Sequence, residues 1–109
     1  PLAGGLLAAD SASSGRRQAP AMQDARQARA EQLKAFQTLC DELGDSPSNV
    51  ALAWLLHQSG VAATIIGPAS IEQLQSVVDV PQLELSQEAL DKIDAIFPPC
   101  GAAPEAYAW

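Results

Sequence analysis

The chain has 109 residues, of which 48% are hydrophobic and 17% are charged. This length suits one domain of roughly 100–150 residues and excludes a multidomain assembly. The charged fraction is too low for a typical disordered polymer, and no apolar run approaches the roughly 18–20 residues of a membrane span. We therefore expect a folded, soluble protein that does not insert into a membrane. The absence of an initiator methionine indicates a fragment.

The net charge of −7 is distributed unevenly along the chain. Residues 1–34 carry five basic and three acidic side chains, whereas residues 35–109 carry one basic and ten acidic side chains. An acidic surface repels phosphate groups, so nucleic acid and anionic membranes are disfavoured as partners. The two cysteines, Cys40 and Cys100, follow neither a metal-binding spacing nor a disulfide-rich pattern. We therefore expect no metal, a cytoplasmic location and a core thiol at Cys40.

The first elements predicted in chain order are a strand end, a loop and a helix. Residues 1–7 are apolar around a glycine pair, which predicts the end of a strand and the turn after it. Residues 8–24 show no sustained period, which indicates a long loop. An apolar stripe then predicts an amphipathic surface helix from about residue 25 to Leu43, ended by Gly44.

Two helices are predicted within residues 25–58, and the second begins with a clear signal. Ser46 is a favourable N-cap, and Pro47 suits the first helical position. The segment that follows is apolar nearly all round, which implies burial on more than one side. The single histidine, His57, lies near the end of this helix and is expected to be a surface or helix-end residue.

The second half of the chain is predicted to contain one complete strand. Residues 61–66 are an apolar run rich in β-branched side chains, which is typical of a strand buried on both faces. Residues 67–97 are predicted to hold a turn, a helix opened by the capping box from Ser70 to Gln73, and a final helix. Residues 98–109 form a tail. Because one buried strand cannot satisfy its own N–H and C=O groups, the chain requires a sheet that it does not itself contain.

Several segments resemble the C-terminal part of the aldo-keto reductases, which are NADP-dependent enzymes built on a (β/α)8 barrel. In order, they are PLAGGLL at 1–7, SPSNVALAWLL at 46–56, IIGPASIEQL at 65–74, the stretch 85–94, and APEAYAW at 103–109. The resemblance implies the fold class α/β, as the C-terminal portion of a TIM barrel. This portion is expected to be mostly helical, with one complete strand, the eighth, and a stub of the seventh.

The resemblance also implies which residues contact a cofactor. In the family, the loops after the seventh and eighth strands hold the nicotinamide dinucleotide, and five positions here match its contacts. Ser70 is added because a hydroxyl and free N–H groups at a helix N-terminus suit a phosphate. The cofactor-binding candidates are therefore Pro1, Leu2, Ala3, Gly67, Ser70 and Gln73. The alternative is that Ser70 and Gln73 merely cap each other's backbone.

The implied function is that of a C-terminal fragment of an oxidoreductase that reduces a carbonyl to an alcohol. NADP(H) is the cofactor by resemblance, and NAD(H) stays open because no Lys or Arg between Lys34 and Lys92 is available to pair with a 2′-phosphate. The intact parent is expected to act on a small-molecule carbonyl substrate. The family's catalytic tyrosine, aspartate, lysine and histidine lie on the first half of the barrel. No catalytic residue is therefore expected here, and the segment alone is expected to be inactive.

A second hypothesis is a non-catalytic protein-interaction module of small α/β type. On that view the helices and the strand form a self-sufficient unit that binds a partner through exposed apolar surface. A barrel fragment is expected to expose large apolar patches and to self-associate, whereas such a module is expected to be a cooperative monomer.

Overall fold

Helices form the regular structure of the part of the chain that the computed structural model describes, residues 2, 6–7 and 20–98. The elements are α1 (Pro20–Ala28), α2 (Ala30–Leu43), α3 (Pro47–Leu56), α4 (Ile71–Gln75), a 3-10 turn (Val80–Gln82) and α5 (Gln87–Ile96). No β-ladder forms among the described residues. The predicted tail lies outside them, apart from Pro98.

The first helix begins earlier than predicted. α1 starts at Pro20, and the chain passes through a turn at Arg29 into α2. The prediction of a loop over residues 8–24 is therefore wrong for residues 20–24, which are helical. A helix can begin at Pro20 because proline has no N–H to lose at the first helical position and its fixed φ suits a helix. Residues 8–19 of that loop lie outside the described residues.

The end of α2 is set by a glycine in the left-handed region. Gly44 has φ 74°, and its N–H donates to the carbonyl of Asp41, while the Asp45 N–H donates to the carbonyl of Cys40. This pair of bonds is a Schellman motif, which satisfies carbonyls that the helix leaves without a partner. The helix therefore ends where Gly44 predicts, and the chain turns directly into α3.

α3 lies at the centre of the helical packing. The Ser46 Oγ accepts the Asn49 N–H at 3.2 Å, and Pro47 occupies the first turn. The next four residues are all buried, which is possible only when neighbours cover the helix on several sides. They are Val50, Ala51, Leu52 and Ala53. The helix ends at Leu56, two residues before the predicted end.

The core lies where α2, α3, α5 and the 3-10 turn meet. The rings of Phe36 and Phe97 pack edge to face with centroids 5.7 Å apart, and the Gln32 side chain donates to the carbonyl of Ile96 at 2.8 Å. The buried residues of this core cluster are Phe36, Leu39, Cys40, Val50, Ala51, Leu52, Ala53, Val80, Leu85, Ala89 and Ile93. The helices thus close a core against which, of residues 61–79, the half-buried Val77 packs, and the side chains of this range are exposed or half-buried.

The predicted complete strand at 61–66 is not formed among the described residues, and this corrects the sequence prediction. The segment is an extended connection with exposed side chains, and Ile65 is 90% exposed. The predicted burial on both faces is therefore wrong for this chain by itself. A strand needs a neighbouring strand to satisfy its backbone N–H and C=O groups, and the described residues provide no such neighbour.

Candidate functional site

The turn that leads into α4 is held together by two side chains. Ser70, in an extended conformation, accepts the Gln73 N–H on its Oγ at 3.3 Å. The Gln73 Oε1 accepts the Ala69 N–H at 2.8 Å. Ser70 thus satisfies the backbone donor of Gln73, and Gln73 satisfies that of Ala69, the residue before Ser70, as side chains do when they cap a helix start. Of the candidate residues, Ser70 and Gln73 are therefore in direct contact.

The carboxylate of Glu72 also accepts hydrogen bonds in this turn, a role that was not predicted from the sequence. Its pKa lies below the ordinary value of 4.5, first because its own backbone N–H donates to the carboxylate and second because the Ser70 hydroxyl does. Both bonds favour the ionised form. An acid in the first turn after a serine N-cap could have signalled this role, since such carboxylates satisfy free N–H groups at helix starts.

The segment around Gly67 is open to solvent. Every residue from 65 to 76 is exposed, and a Cβ built on Gly67 would meet no atom within 4 Å. A ligand could therefore lie directly on the backbone of Gly67, where any larger residue would project a side chain into the same space. Gly67, Ser70 and Gln73 thus form one accessible strip of the surface, hereafter the cap turn, residues 67–73.

The other predicted loop is described only in part. Pro1 and Ala3 lie outside the described residues. Leu2 is half-buried and packs against the core cluster, and its carbonyl accepts the Leu7 N–H at 3.4 Å. Leu2 therefore sits on the helical core, to which Gly67, Ser70 and Gln73 do not belong.

The cap turn fits one part of a dinucleotide better than another. Its open backbone and amide and hydroxyl groups suit the neutral adenosine portion, which is recognised by hydrogen bonds and shape. A phosphate would find the Ala69 and Gln73 N–H groups already engaged and the Glu72 carboxylate beside them. No Lys or Arg occurs between Lys34 and Lys92. The cap turn itself therefore offers polar contacts for adenosine and has no cation of its own for a 2′-phosphate.

His57 caps a helix and bridges two segments. Its Nδ1 lies 2.8 Å from the Ala53 carbonyl, and its Nε2 accepts the Leu85 N–H at 3.4 Å. Because Nε2 accepts, the Nδ1 carries the proton and donates to Ala53. The helix-end position predicted for His57 is therefore what the structure shows, and the contact with Leu85 is one that spacing along the sequence could not predict.

Cys40 has the properties of a core thiol. It is fully buried and unpaired, and burial together with Asp41 and Asp45 raises its pKa from 9.0 to about 12. A thiol that stays protonated at neutral pH is a poor nucleophile. Among the described residues, no three His, Cys, Asp or Glu side chains are grouped as a metal site would require, and no helix is long and apolar enough to cross a membrane.

The described residues thus form a helical core, an extended apolar run and an exposed cap turn. The comparison with protein families identifies the class of protein. The model of the Aldo/keto reductase family matches residues 1–97. The chain belongs to the aldo/keto reductase family, whose fold is the TIM barrel.

Individual relatives agree with this membership. The chain is 44% identical over 112 residues to the uncharacterized oxidoreductase YrpG of Bacillus subtilis, which covers 100% of the chain and 34% of that protein. It is 41% identical over 54 residues to pyridoxine 4-dehydrogenase of Escherichia coli, covering 50% of the chain and 19% of that protein. A putative voltage-gated potassium channel subunit beta of Schizosaccharomyces pombe is 33% identical over 69 residues, covering 62% of the chain and 20% of that protein. The chain therefore spans about a third or less of the length of these relatives.

Proposed function

We propose that this chain supplies the C-terminal part of an aldo/keto reductase barrel, with residues 61–66 as its last strand and the cap turn on the adenosine side of a nicotinamide dinucleotide site. The observation that carries the proposal is the family match over residues 1–97, together with the exposure of the cap turn. The cap turn directly follows the extended run 61–66. Active sites of TIM barrels lie in the loops that follow the strands.

Three residues of the cap turn have distinct parts in this proposal. Gly67 leaves the backbone open to a flat ligand group, as its unobstructed surroundings support. Ser70 and Gln73 hold the turn rigid through their mutual capping, so that the side-chain amide of Gln73 is presented at a fixed position on the surface. A ligand therefore meets a turn that is already in place, which lowers the entropic cost of binding.

Leu2 is proposed to act differently, because it lies on the core cluster. Its half-buried side chain packs against that cluster, and its carbonyl accepts the Leu7 N–H. Pro1 and Ala3, which flank Leu2, are retained in the proposal as backbone contacts of the cofactor on the strength of family membership alone.

The electrostatics of the cap turn favour NAD(H) over NADP(H) at this end of the site. Glu72 is ionised with a lowered pKa, and it would repel a 2′-phosphate placed near Ser70. A free ribose 2′-hydroxyl carries no charge and can donate to a carboxylate. The bound cofactor would supply the hydride for reduction of a carbonyl substrate, and the chain's own residues would hold its adenosine end.

The proposal is tested by amide NMR titration of the 109-residue chain with NAD+ and, separately, NADP+. We expect weak, millimolar binding, since only one side of the site is present, with shifts concentrated in residues 67–73. NADP+ should bind more weakly than NAD+. Amides of the cap turn that stay unmoved at saturating millimolar NAD+ would contradict the proposal.

A matched pair of cap variants separates nucleotide binding from stability. Ser70→Ala and Ser86→Ala each remove a serine that caps a helix through the N–H three residues later, at 3.3 and 3.2 Å respectively. We expect Ser70→Ala to weaken the NAD+ shifts and Ser86→Ala to leave them unchanged while lowering stability. An equal loss in both variants would show that the shifts report only helix fraying.

Turnover is tested separately on the same chain. With NADPH or NADH and a reactive aldehyde, we expect no reduction above the uncatalysed rate, because the catalytic residues that the family uses are not among those of this chain. Turnover by the purified 109 residues would refute this part of the proposal and leave the cofactor assignment standing.

A further inference from the structure

We draw no further inference here: the strongest candidate, the cleft that Leu6 and Leu7 line together with side chains of α1, α2 and the first residue of α3, carries nothing because no contact among the described residues shows what occupies or covers it.

Discussion

Two apolar, uncharged segments follow each other in this chain and differ in secondary structure and burial. α3 (Pro47–Leu56) is buried at the centre of the helical packing, whereas the run 61–66 is extended and exposed. A helix satisfies its backbone hydrogen bonds within itself, so α3 needs only side-chain neighbours, which α2 and the 3-10 turn provide. A strand needs another strand before burial is possible. Among residues 20–98 the family fold is therefore represented by helices, and no strand pairing is formed there.

A matched pair of isoleucines gives the largest expected contrast between these regions. Ile93 is 4% exposed in the core and Ile65 is 90% exposed in the run. Ile93→Ala should lower the free energy of unfolding by about 2–4 kcal/mol because it removes buried methyl groups and leaves a cavity. Ile65→Ala should change it by less than about 0.5 kcal/mol. Urea denaturation of the monomer measures both, and comparable losses would refute the division into two regions.

The buried thiol makes the stability of the core depend on alkaline pH. The pKa of Cys40 is raised from 9.0 to about 12 in the folded chain. The unfolded thiol therefore loses its proton first, and the stabilisation present below pH 9 declines as pH rises toward 12, by about 1.4 kcal/mol per pH unit. Denaturation midpoints between pH 8 and 11 should fall more steeply for the wild type than for Cys40→Ala. Equal slopes would contradict the burial assigned to this thiol.

Helix caps provide a smaller contrast. Ser86 starts the ten-residue α5, which buries Ala89 and Ile93, whereas Ser70 starts the five-residue α4, which buries nothing. Ser86→Ala should cost about 1 kcal/mol of global stability, the usual cost of a lost serine cap. Ser70→Ala should leave the unfolding midpoint almost unchanged, since α4 can fray without opening the core. A larger loss from Ser70→Ala would show that the cap turn is coupled to the core.

The smallest effect concerns a single proton at the cap turn. The lowered pKa of Glu72 depends partly on the Ser70 hydroxyl. Ser70→Ala should therefore move that pKa upward toward 4.5, while Ser76→Ala, which removes a hydroxyl bonded to the Gln73 carbonyl, should not. Because the folded pKa is depressed, the contribution of this carboxylate is present above pH 4.5 and fades as pH falls through the folded value. Side-chain carboxyl NMR titration follows the shift directly.

Local signals could be predicted from the sequence, and non-local ones could not. Ser46, Gly44 and Ser86 each act within four residues of themselves, and each begins or ends a helix in the structure where its chemistry indicates. The strand at 61–66 depended on partners elsewhere and does not form. The contact of Trp54 Nε1 with Asp94 at 3.0 Å spans 40 residues and carries no sequence signal.

The same distinction between local and non-local signals applies to the candidate site. The capping by Ser70 and Gln73 could be predicted from their spacing. The serine accepts the N–H three residues later, and the glutamine reaches back to an N–H at the start of the turn. The capping-box pattern predicts hydrogen bonds only for Ser70 and Gln73, so it gave no indication that the Glu72 carboxylate accepts hydrogen bonds in the same turn. Which face of the cap turn a cofactor would occupy depends on strands and loops that the described residues do not include.

Hydrogen exchange of the monomeric chain tests most directly the division between a helical core and the exposed run 61–66. We predict slow exchange for amides of α2, α3 and α5, governed by global unfolding, and exchange close to the rate of an unstructured peptide for residues 62–67. Protection of residues 62–66 in the monomer comparable to that of α3 would contradict the account, because it would require a strand partner within the chain.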